Sequence, residues 1–506
     1  MSLPGRRVGG ALLAAGLLLP AAAAAPPDDG WVVLETSPAR TDTPLSGFLP
    51  FAPEPGEEPG GADPGFPHTM EWFSLPVADV VPGEGEYDWS ALESWLDSIA
   101  GRGHQSVLRF YLDYPGLPSG VPAHLLGEGG IDQSRRYDVH DNDGVSFSPD
   151  YDDPRVLELL TDFVAAFGER YDGDPRLGYV TTGLVGFWGE QHTWPFDGER
   201  GPENPSGADW MPSEGTQERL LAAWDTAFDT TRLLVRYPSE AAAAHAVGLH
   251  DDSFAYETLP THPWHFVSLT QTAGLSERWR TEPVGGELYP ALQTCVFSAP
   301  PGCTDDAEDV AAATEATHAS WLVNDRAWSD GYDGADRERA LAAHAALGPD
   351  IAALAVRAGR DVDGRAEVTV RLTNRGVAPF YADWPGELAV LDDGGEVSAT
   401  AEMHLDLPSL QPGEVREVTA SIDGDGARLA LAVPNPMPGG APLRLANADQ
   451  DAHASGYLTL GDVPPAVAAA GGTRARVAVA ALAAVLAVGA VVLGRGRVSA
   501  RRSASA

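Results

Sequence analysis

Two apolar stretches of this 506-residue sequence end on a carboxylate. In GLVGFWGEQHTWPF, residues 183–196, Glu190 stands among Trp188, His192 and Trp194; in EPVGGELYP, Glu287 follows Val284 and two glycines. A carboxyl group just beyond a buried strand is placed to give or take a proton, or to attack an electrophilic carbon. Trp188 favours the first role for Glu190, because an apolar neighbour desolvates a carboxylate and raises its pKa toward the range a proton donor needs. The plainer alternatives are a strand-end carboxylate bonded to Arg109 or Arg236 for Glu190, and a turn before a strand for Glu287. Asp251 and Asp252, in GLHDDSF, stand in reserve as a catalytic carboxylate.

The segments around these residues alternate short apolar runs with longer amphipathic ones. TMEWFSLPV reads as a strand, WSALESWLDSIAGRG as a helix ending at glycine, and SVLRFYL as a second strand. DPRVLELLTDFVAAFGERY has helical spacing with Pro154 in its first turn, and the strand LGYVTTGLVGFW follows. The strands RLLVRYP, LHDDSFAY, EPVGGELYP and SWLVN come next, separated by helical segments. Such alternation over nearly 300 residues predicts a (β/α)8 TIM-type barrel, whose active site lies at the C-terminal ends of its strands. Counting from TMEWFSLP, with one poorly marked strand allowed within residues 115–150, puts Glu190 after strand four and Glu287 after strand seven. APEPGEEPGGADPGF, residues 52–66, reads as a loop or lid leading into the first strand. No Gly-rich phosphate or dinucleotide loop follows that strand.

Here the sequence resembles the retaining glycoside hydrolases of the large (β/α)8 superfamily, whose acid/base follows strand four and whose nucleophile follows strand seven. HTMEWFSLPVADVVPGEGEYDWSALESWLDSIAGRG is similar to their first βα unit. LRFYLDYPGLPSGVP and RYDGDPRLGYVTTGLVGFWGEQHTWP resemble, more narrowly, a family of uncharacterised secreted glycosidase-like proteins with a C-terminal β-sandwich. The likeness spans roughly residues 45–460. It implies Glu190 as acid/base and Glu287 as nucleophile, flanking an oxocarbenium-like transition state at a separation of about 5 Å. Gly189-Glu190 departs from the usual Asn-Glu of the superfamily, whose Asn contacts the sugar 2-hydroxyl.

A sugar site also needs flat apolar faces and paired hydrogen bonds. Among Trp72, Tyr111, Trp194, Trp321 and Trp328, about two are expected to line a pocket. With Trp188 and Asp252, these supply the candidate substrate contacts. Arg109 and Asp113, in RFYLDYP, either orient substrate or bond each other, and His192 either binds a hydroxyl or is structural. VHDNDGVSFSPD echoes a calcium loop through Asp141, Asp143, Gly144 and Asp150, but Val139 holds the first ligand position and Asp replaces the closing Glu. GEQH lacks the two His on one helical face that a zinc motif needs. No cofactor or metal is expected.

Beyond about Pro349, period-2 runs such as AEVTVRLTN, GELAVLDD and ARLALAV predict an all-β immunoglobulin-like sandwich. No aromatic stripe marks its strands, which favours a spacer and packing role. The expected organisation is a signal peptide over 1–25, the barrel over 26–348 and the sandwich over 349–462. A linker over 463–476, a single C-terminal transmembrane helix over 477–494 and a basic cytoplasmic tail over 495–506 complete it. This layout predicts an exported protein anchored in the cell membrane with barrel and sandwich outside. In that compartment Cys295 and Cys303, the only cysteines, would form a disulfide. The net charge of −40, with Arg as the only strong cation, excludes nucleic acid as a partner. The functional expectation is a cell-surface glycoside hydrolase acting on an extracellular poly- or oligosaccharide. Its rivals are a non-catalytic carbohydrate-binding or adhesion protein, and a metal-dependent hydrolase whose ligands would come from the 138–152 loop.

Overall fold

A computed structural model describes residues 30–298, 303–424 and 426–465. Eight strands make one parallel sheet: β1 (Gly47–Leu49), β2 (Met70–Pro76), β3 (Gln105–Asp113), β4 (Leu177–Phe187), β5 (Arg232–Val235), β6 (Gly248–Phe254), β7 (Val284–Leu288) and β8 (Trp321–Val323). Each pairs with its neighbours in sequence, and β1 pairs with β8. A parallel bridge from Phe51 to Trp72 joins β1 to β2, with the Trp72 amide donating to the Pro50 carbonyl at 2.9 Å, so the sheet closes into a barrel.

The strands form where apolar runs are covered on both faces. β3 and β4 are buried at every position, as a parallel strand between barrel interior and helix layer must be. Outside lie α1 (Ser90–Gly101), α2 (Pro154–Tyr171), α3 (Glu214–Ala227), α4 (Glu240–Ala243), α5 (Phe266–Thr272), α6 (Val310–Thr317), α7 (Arg326–Ser329) and α8 (Gly334–Ala346). α2 shows why such helices start where they do. The Asp153 side chain accepts from the Arg155 amide, Pro154 fills the first turn, and Val156, Leu160, Phe163 and Phe167 bury one stripe against the sheet.

The strand count corrects the sequence reading in two places that cancel. MEWFSLP is the second strand, because Gly47–Leu49 precedes it, and residues 115–150 contribute no barrel strand. Three residues are too few to show a period, so β1 was hidden before the Pro/Gly-rich stretch, which runs from β1 to β2 rather than into the first strand. Glu190 still follows β4, and Glu287 is the penultimate residue of β7.

The sandwich is built from β9 (Ile351–Arg360), β10 (Ala366–Asn374), β11 (Gly386–Leu391), β12 (Val397–Met403), β13 (Val415–Ile422), β14 (Arg428–Ala432) and β15 (Tyr457–Asp462). They form two four-stranded antiparallel sheets, β9-β10-β13 and β12-β11-β14-β15, and a two-residue strand, Val32–Val33, completes the first by pairing with Val356 and Ala355 of β9. The chain therefore enters through the sandwich before it starts the barrel. Leu45, Leu49, Met70, Trp72 and Trp321 of the barrel share one apolar core with Ile351, Val370, Leu388 and Leu431 of the sandwich. The expected leader, transmembrane helix and tail lie outside the described residues; among those described, no helix is long and apolar enough to cross a membrane.

Trp321 corrects another expectation. It is 0% exposed and packs against Trp72 and Tyr179, at 6.2 and 5.6 Å between ring centroids, so it fills the barrel interior rather than facing a ligand. A Cβ on Gly285 would lie 2.1 Å from its ring. Removing so large a buried side chain leaves a cavity the surroundings cannot close. Trp321→Ala is expected to lower unfolding free energy by about 3–5 kcal/mol, read from denaturant melts.

Candidate functional site

The C-terminal ends of the strands surround a cleft of about 1080 Å³. Glu190 and Glu287 both line it, together with Trp72, Arg109, Tyr111, Trp188, His192, Trp194 and Asp252. Asp113, Trp321 and Trp328 do not line it, so three of the five aromatic candidates reach the cleft.

The end of β4 curls to present Glu190. Gly183, Leu184, Gly186, Trp188, Gly189 and Gln191 all have positive φ, and the strand folds back on itself where the Phe187 amide donates to the His192 carbonyl at 2.9 Å and the Gln191 amide to the Val185 carbonyl at 2.8 Å. Gly186 tolerates this fold because a Cβ there would meet the His192 carbonyl oxygen at 2.3 Å. Leu184 and Trp188, as non-glycine residues in the left-handed region, mark backbone strain of the kind that collects at functional sites.

Glu190 is held by Arg109 and His192. Arg109 Nη1 donates to its Oε1 at 2.9 Å, and His192 Nε2 lies 3.4 Å from its Oε2. Arg109 also donates from Nε to Thr181 at 3.2 Å and lies 4.6 Å over the Trp72 ring. The structure therefore contains the Arg109 pairing that stood as the plainer alternative. Burial opposes ionisation of Glu190, but the His192 contact and the Arg109 and Arg236 charges outweigh it and hold the carboxyl at about 2. The desolvation expected from Trp188 is thus overridden. Glu287 shows the reverse: burial, then the nearby charge of Glu190, push it well above the ordinary carboxylate range, with Asp252 and Asp325 acting in the same direction. In the free cleft a proton therefore favours Glu287 over Glu190.

Asp252 pairs with Arg236, and the Tyr111 ring packs tilted against Tyr114, centroids 4.9 Å apart. Asp251 points away from the cleft, accepting from Thr258 Oγ1 at 2.6 Å, and burial raises it to about 6. Asp113 is likewise no partner of Arg109. It accepts from Tyr137 Oη at 2.7 Å and Ser146 Oγ at 2.6 Å, so it anchors the loop after β3. That loop brings His140 to the cleft wall, 4.9 Å from the Trp188 ring, with its Nε2 2.8 Å from the Trp194 carbonyl. Trp194 itself is 55% exposed at the cleft rim. Trp328 donates from Nε1 to the Phe66 carbonyl at 2.9 Å and packs the barrel wall.

Sequence reasoning missed Tyr114, His140, Tyr237, Glu257, Tyr289 and Asp325 as cleft residues, and named Arg236 only as a structural partner. Arg236 and Asp325 had a readable signal, since they stand one and two residues beyond the ends of apolar strands. The three-residue spacing of Gly183, Gly186 and Gly189 was also legible as a chain that must turn.

Among the described residues, two groups bring His and acidic ligand atoms within 4.8 Å of one another: His68, Glu71 and His104 near the start of β2, and Glu190, His192 and Asp252 in the cleft. In both, guanidinium groups already neutralise the carboxylates. Glu71 accepts from Arg102 at 2.6 and 2.9 Å and sits 2.6 Å from His104 Nδ1, and Glu190 and Asp252 are paired as above. The calcium-like loop is organised by Asn142, whose Oδ1 accepts from the Gly116 and Ser146 amides. Among the described residues, its acids do not gather into a three-ligand group.

The Cys295–Cys303 disulfide is present, with Cα atoms 4.9 Å apart, on the segment after β7. No family model matches the chain, and no curated protein is significantly similar to it. Among solved structures, the chain is similar to endo-glycoceramidase II from Rhodococcus sp. in a cellobiose-like isofagomine complex, at 15% identity over 78% of this chain and 100% of that one, with a TM-score of 0.35. It is also similar to GH10 from Paenibacillus barcinonensis, at 12% identity over 57% of this chain and 71% of that one, TM-score 0.30. A xylanase from the same organism, complexed with a conduramine derivative, matches at 13% identity over 55% of this chain and 89% of that one, TM-score 0.28.

Two outcomes follow from the cleft's electrostatics. A group whose folded pKa is raised above its unfolded value, when it is an acid, costs stability once pH exceeds the unfolded value near 4.3. Glu287→Gln is therefore expected to stabilise the protein at pH 7, by about 1.4 kcal/mol for each pH unit between the unfolded value and the raised value or pH 7, whichever is lower. The gain should vanish near pH 4, as chemical denaturation at the two pH values will show. Gly189→Asn, which restores the usual Asn-Glu pair, is expected to lower the melting temperature, because a Cβ there meets the Phe110 carbonyl oxygen at 2.9 Å and Arg109 Cδ at 3.4 Å.

Proposed function

We propose that this protein is a glycoside hydrolase that cleaves an extracellular glycan with Glu190 and Glu287. The observation that carries the reading is a cleft at the strand ends that gathers two carboxyl groups, Glu190 just after β4 and Glu287 in β7, with Glu190 held low by its partners and Glu287 raised by burial and the charge of Glu190. Glycosidic cleavage needs that combination. The acid gives its proton to the leaving oxygen as the C–O bond breaks, and the carboxylate bonds the anomeric carbon. Water then adds its hydroxyl to that carbon, freeing the carboxylate, and its remaining proton restores the acid. Trp188, Trp194, Tyr114 and Tyr289 supply flat faces for sugar rings, and Arg236 and Asp252 supply paired donors and acceptors.

Strand order favours Glu190 as acid/base and Glu287 as nucleophile, in a retaining mechanism. A specific observation favours the exchanged assignment: Arg109 and His192 contact Glu190 and hold its carboxyl low, while burial and the charge of Glu190 raise Glu287. The extracellular setting rests on the sequence of residues 1–25 and 477–494. The β-sandwich serves in this reading as packing and spacer for the barrel.

The test is turnover of a panel of aryl glycosides and cell-wall polysaccharides by the full chain beside Glu190→Gln and Glu287→Gln. Each substitution is expected to lower kcat by at least about a hundredfold, and a 2-fluoro glycoside should leave a covalent ester. Mass spectrometry of the trapped peptide distinguishes the two assignments: an ester on Glu287 supports strand order, and one on Glu190 supports the exchange. Glycan binding without turnover, unaffected by either substitution, would make the protein a surface binder.

A further inference from the structure

The cleft continues past Glu190. β4 pairs with β5 only from Tyr179 to Thr181, and beyond that point the left-handed residues of β4 curl away from its neighbour. The space between this turn, β5, α3 and α4 is a second cavity of about 750 Å³, within the range of small-molecule sites, about 300–1,000 Å³. His192, Trp194, Tyr237, Ser253, Glu257 and Tyr289 line both spaces, so this annex opens into the cleft beside the Glu190 turn. Its wall carries hydroxyl and amide side chains, among them Thr182, Gln191, Gln217 and Ser239. At the junction the Tyr256 and Tyr289 rings stack 4.4 Å apart at an interplanar angle of 11°. A hydroxylated ring would find hydrogen-bond partners and a flat face there.

Charge narrows the choice of ring. Each arginine that lines the cleft is paired with an acid that lines it too: Arg109 with Glu190, Arg236 with Asp252 and Arg326 with Asp330. A uronate or sulfated sugar would have to compete with those acids for its cation. The acidic side is not balanced in this way. No arginine lines the annex, whereas Asp197 and Glu257 do. Glu257 is half-buried where the two spaces meet, and among the described residues its carboxylate has no hydrogen-bond donor and no ion-pair partner. A carboxylate that has lost part of its water without gaining a donor is best satisfied by a ligand that brings one with positive charge. The tyrosine faces around it attract a cation as well.

We propose that the annex selects a glycan whose sugars carry free amino groups: one sugar enters from the cleft, its ring against the Tyr256–Tyr289 stack and its ammonium donating to Glu257, with Asp197 adding a second negative charge. This rests on the glycosidase reading of the cleft. The bond cleaved is the glycosidic bond already described, and the ammonium forms and breaks no covalent bond. The net charge of −40 would draw any polycation toward the protein, so the local contact has to be separated from the overall field.

The test is titration calorimetry of the full-length protein with β-1,4-linked tetrasaccharides of glucosamine, N-acetylglucosamine and glucose. At about pH 6 and about 0.15 M salt, carboxylates and sugar amines are both charged and distant surface charges are screened. It is repeated on Glu257→Gln and Asp197→Asn, which keep shape and remove charge, and on Glu367→Gln, which removes an equal charge from an exposed position on β10 of the sandwich. Thermal melts verify folding of each. The glucosamine tetramer should bind at least about tenfold tighter than the two neutral ones. Glu257→Gln should cut that preference by at least about fivefold, and Glu367→Gln should leave it unchanged. No preference for the amine series, or one that both Glu257→Gln and Asp197→Asn leave intact, overturns the proposal and assigns any attraction to the overall charge. Turnover of neutral glycans without an amine preference overturns the annex proposal and leaves the hydrolase reading standing. A preference that Glu257→Gln abolishes, in a protein that hydrolyses nothing, supports the amine site and overturns the hydrolytic reading alone.

Discussion

Arg109 is the interaction on which the cleft depends. Its guanidinium rests on Trp72, is steadied by Thr181 and bonds Glu190, so one side chain links the barrel's aromatic floor to the charge at its mouth. A buried ion pair offsets its desolvation cost only when geometry is good and the remaining donors are used. Here the stack on Trp72 fixes that geometry, and Trp72 is in turn fixed by Trp321 and His250 beneath it. Once Glu190 is anionic, a second charge at Glu287 would face it in a space partly closed to water, so the proton affinity of Glu287 rises. Gly189 belongs to the same arrangement, because the room its missing side chain leaves is where Arg109 passes.

The opposite end of the barrel is apolar and is shared with the sandwich. His318 Nδ1 lies 2.6 Å from the Val377 carbonyl, and Asn435 donates to Gln105 at 3.2 Å, so polar contacts frame the common core. Chemistry and packing are thereby separated along the barrel axis. The strand starts are buried against a second domain, and the strand ends are free to diverge into loops. This separation lets β4 distort over Gly183–Gln191 without loosening the core below Thr181.

Much of this was legible in the sequence, for a physical reason. Strands such as β3 and β4 are covered on both faces, so their apolar runs are continuous, and a charged residue ending such a run stands out. Glu190 and Glu287 were found in that way, and Arg109 as a charge inside such a run. What was not legible depended on partners far away in the chain. Trp72 and Trp321 are the same residue type at similar places on strands, yet one forms the cleft floor and the other is sealed beneath it, because the closure of β1 on β8 decides which layer each occupies. Asp113 looked like a neighbour for Arg109, but Tyr137 and Ser146 arrive from the following loop and take it. For Glu190 the sequence offered two environments, desolvation by nearby Trp188 or a bond to Arg109 or Arg236, and only the fold, which brings Arg109 from 81 residues earlier and His192 onto the carboxylate, decides between them. β1 was missed because its three residues gain strand character only from β8 and the bridge to Trp72.

The way the barrel closes also imposes an order on its assembly. Phe51 donates from its amide to Asp325, 274 residues later, and the pairing of β1 with β8 spans a similar separation. Val32–Val33 must wait longer still, for β9. As the chain is synthesised, β2 to β7 can align one after another by local steps, but the ring stays open until its last strand is made. During that interval the barrel interior, including Trp72, has no lid on one side, and its earliest strand has nothing to hold. Completion is a single late event in which the first segment of the chain is captured by nearly the last.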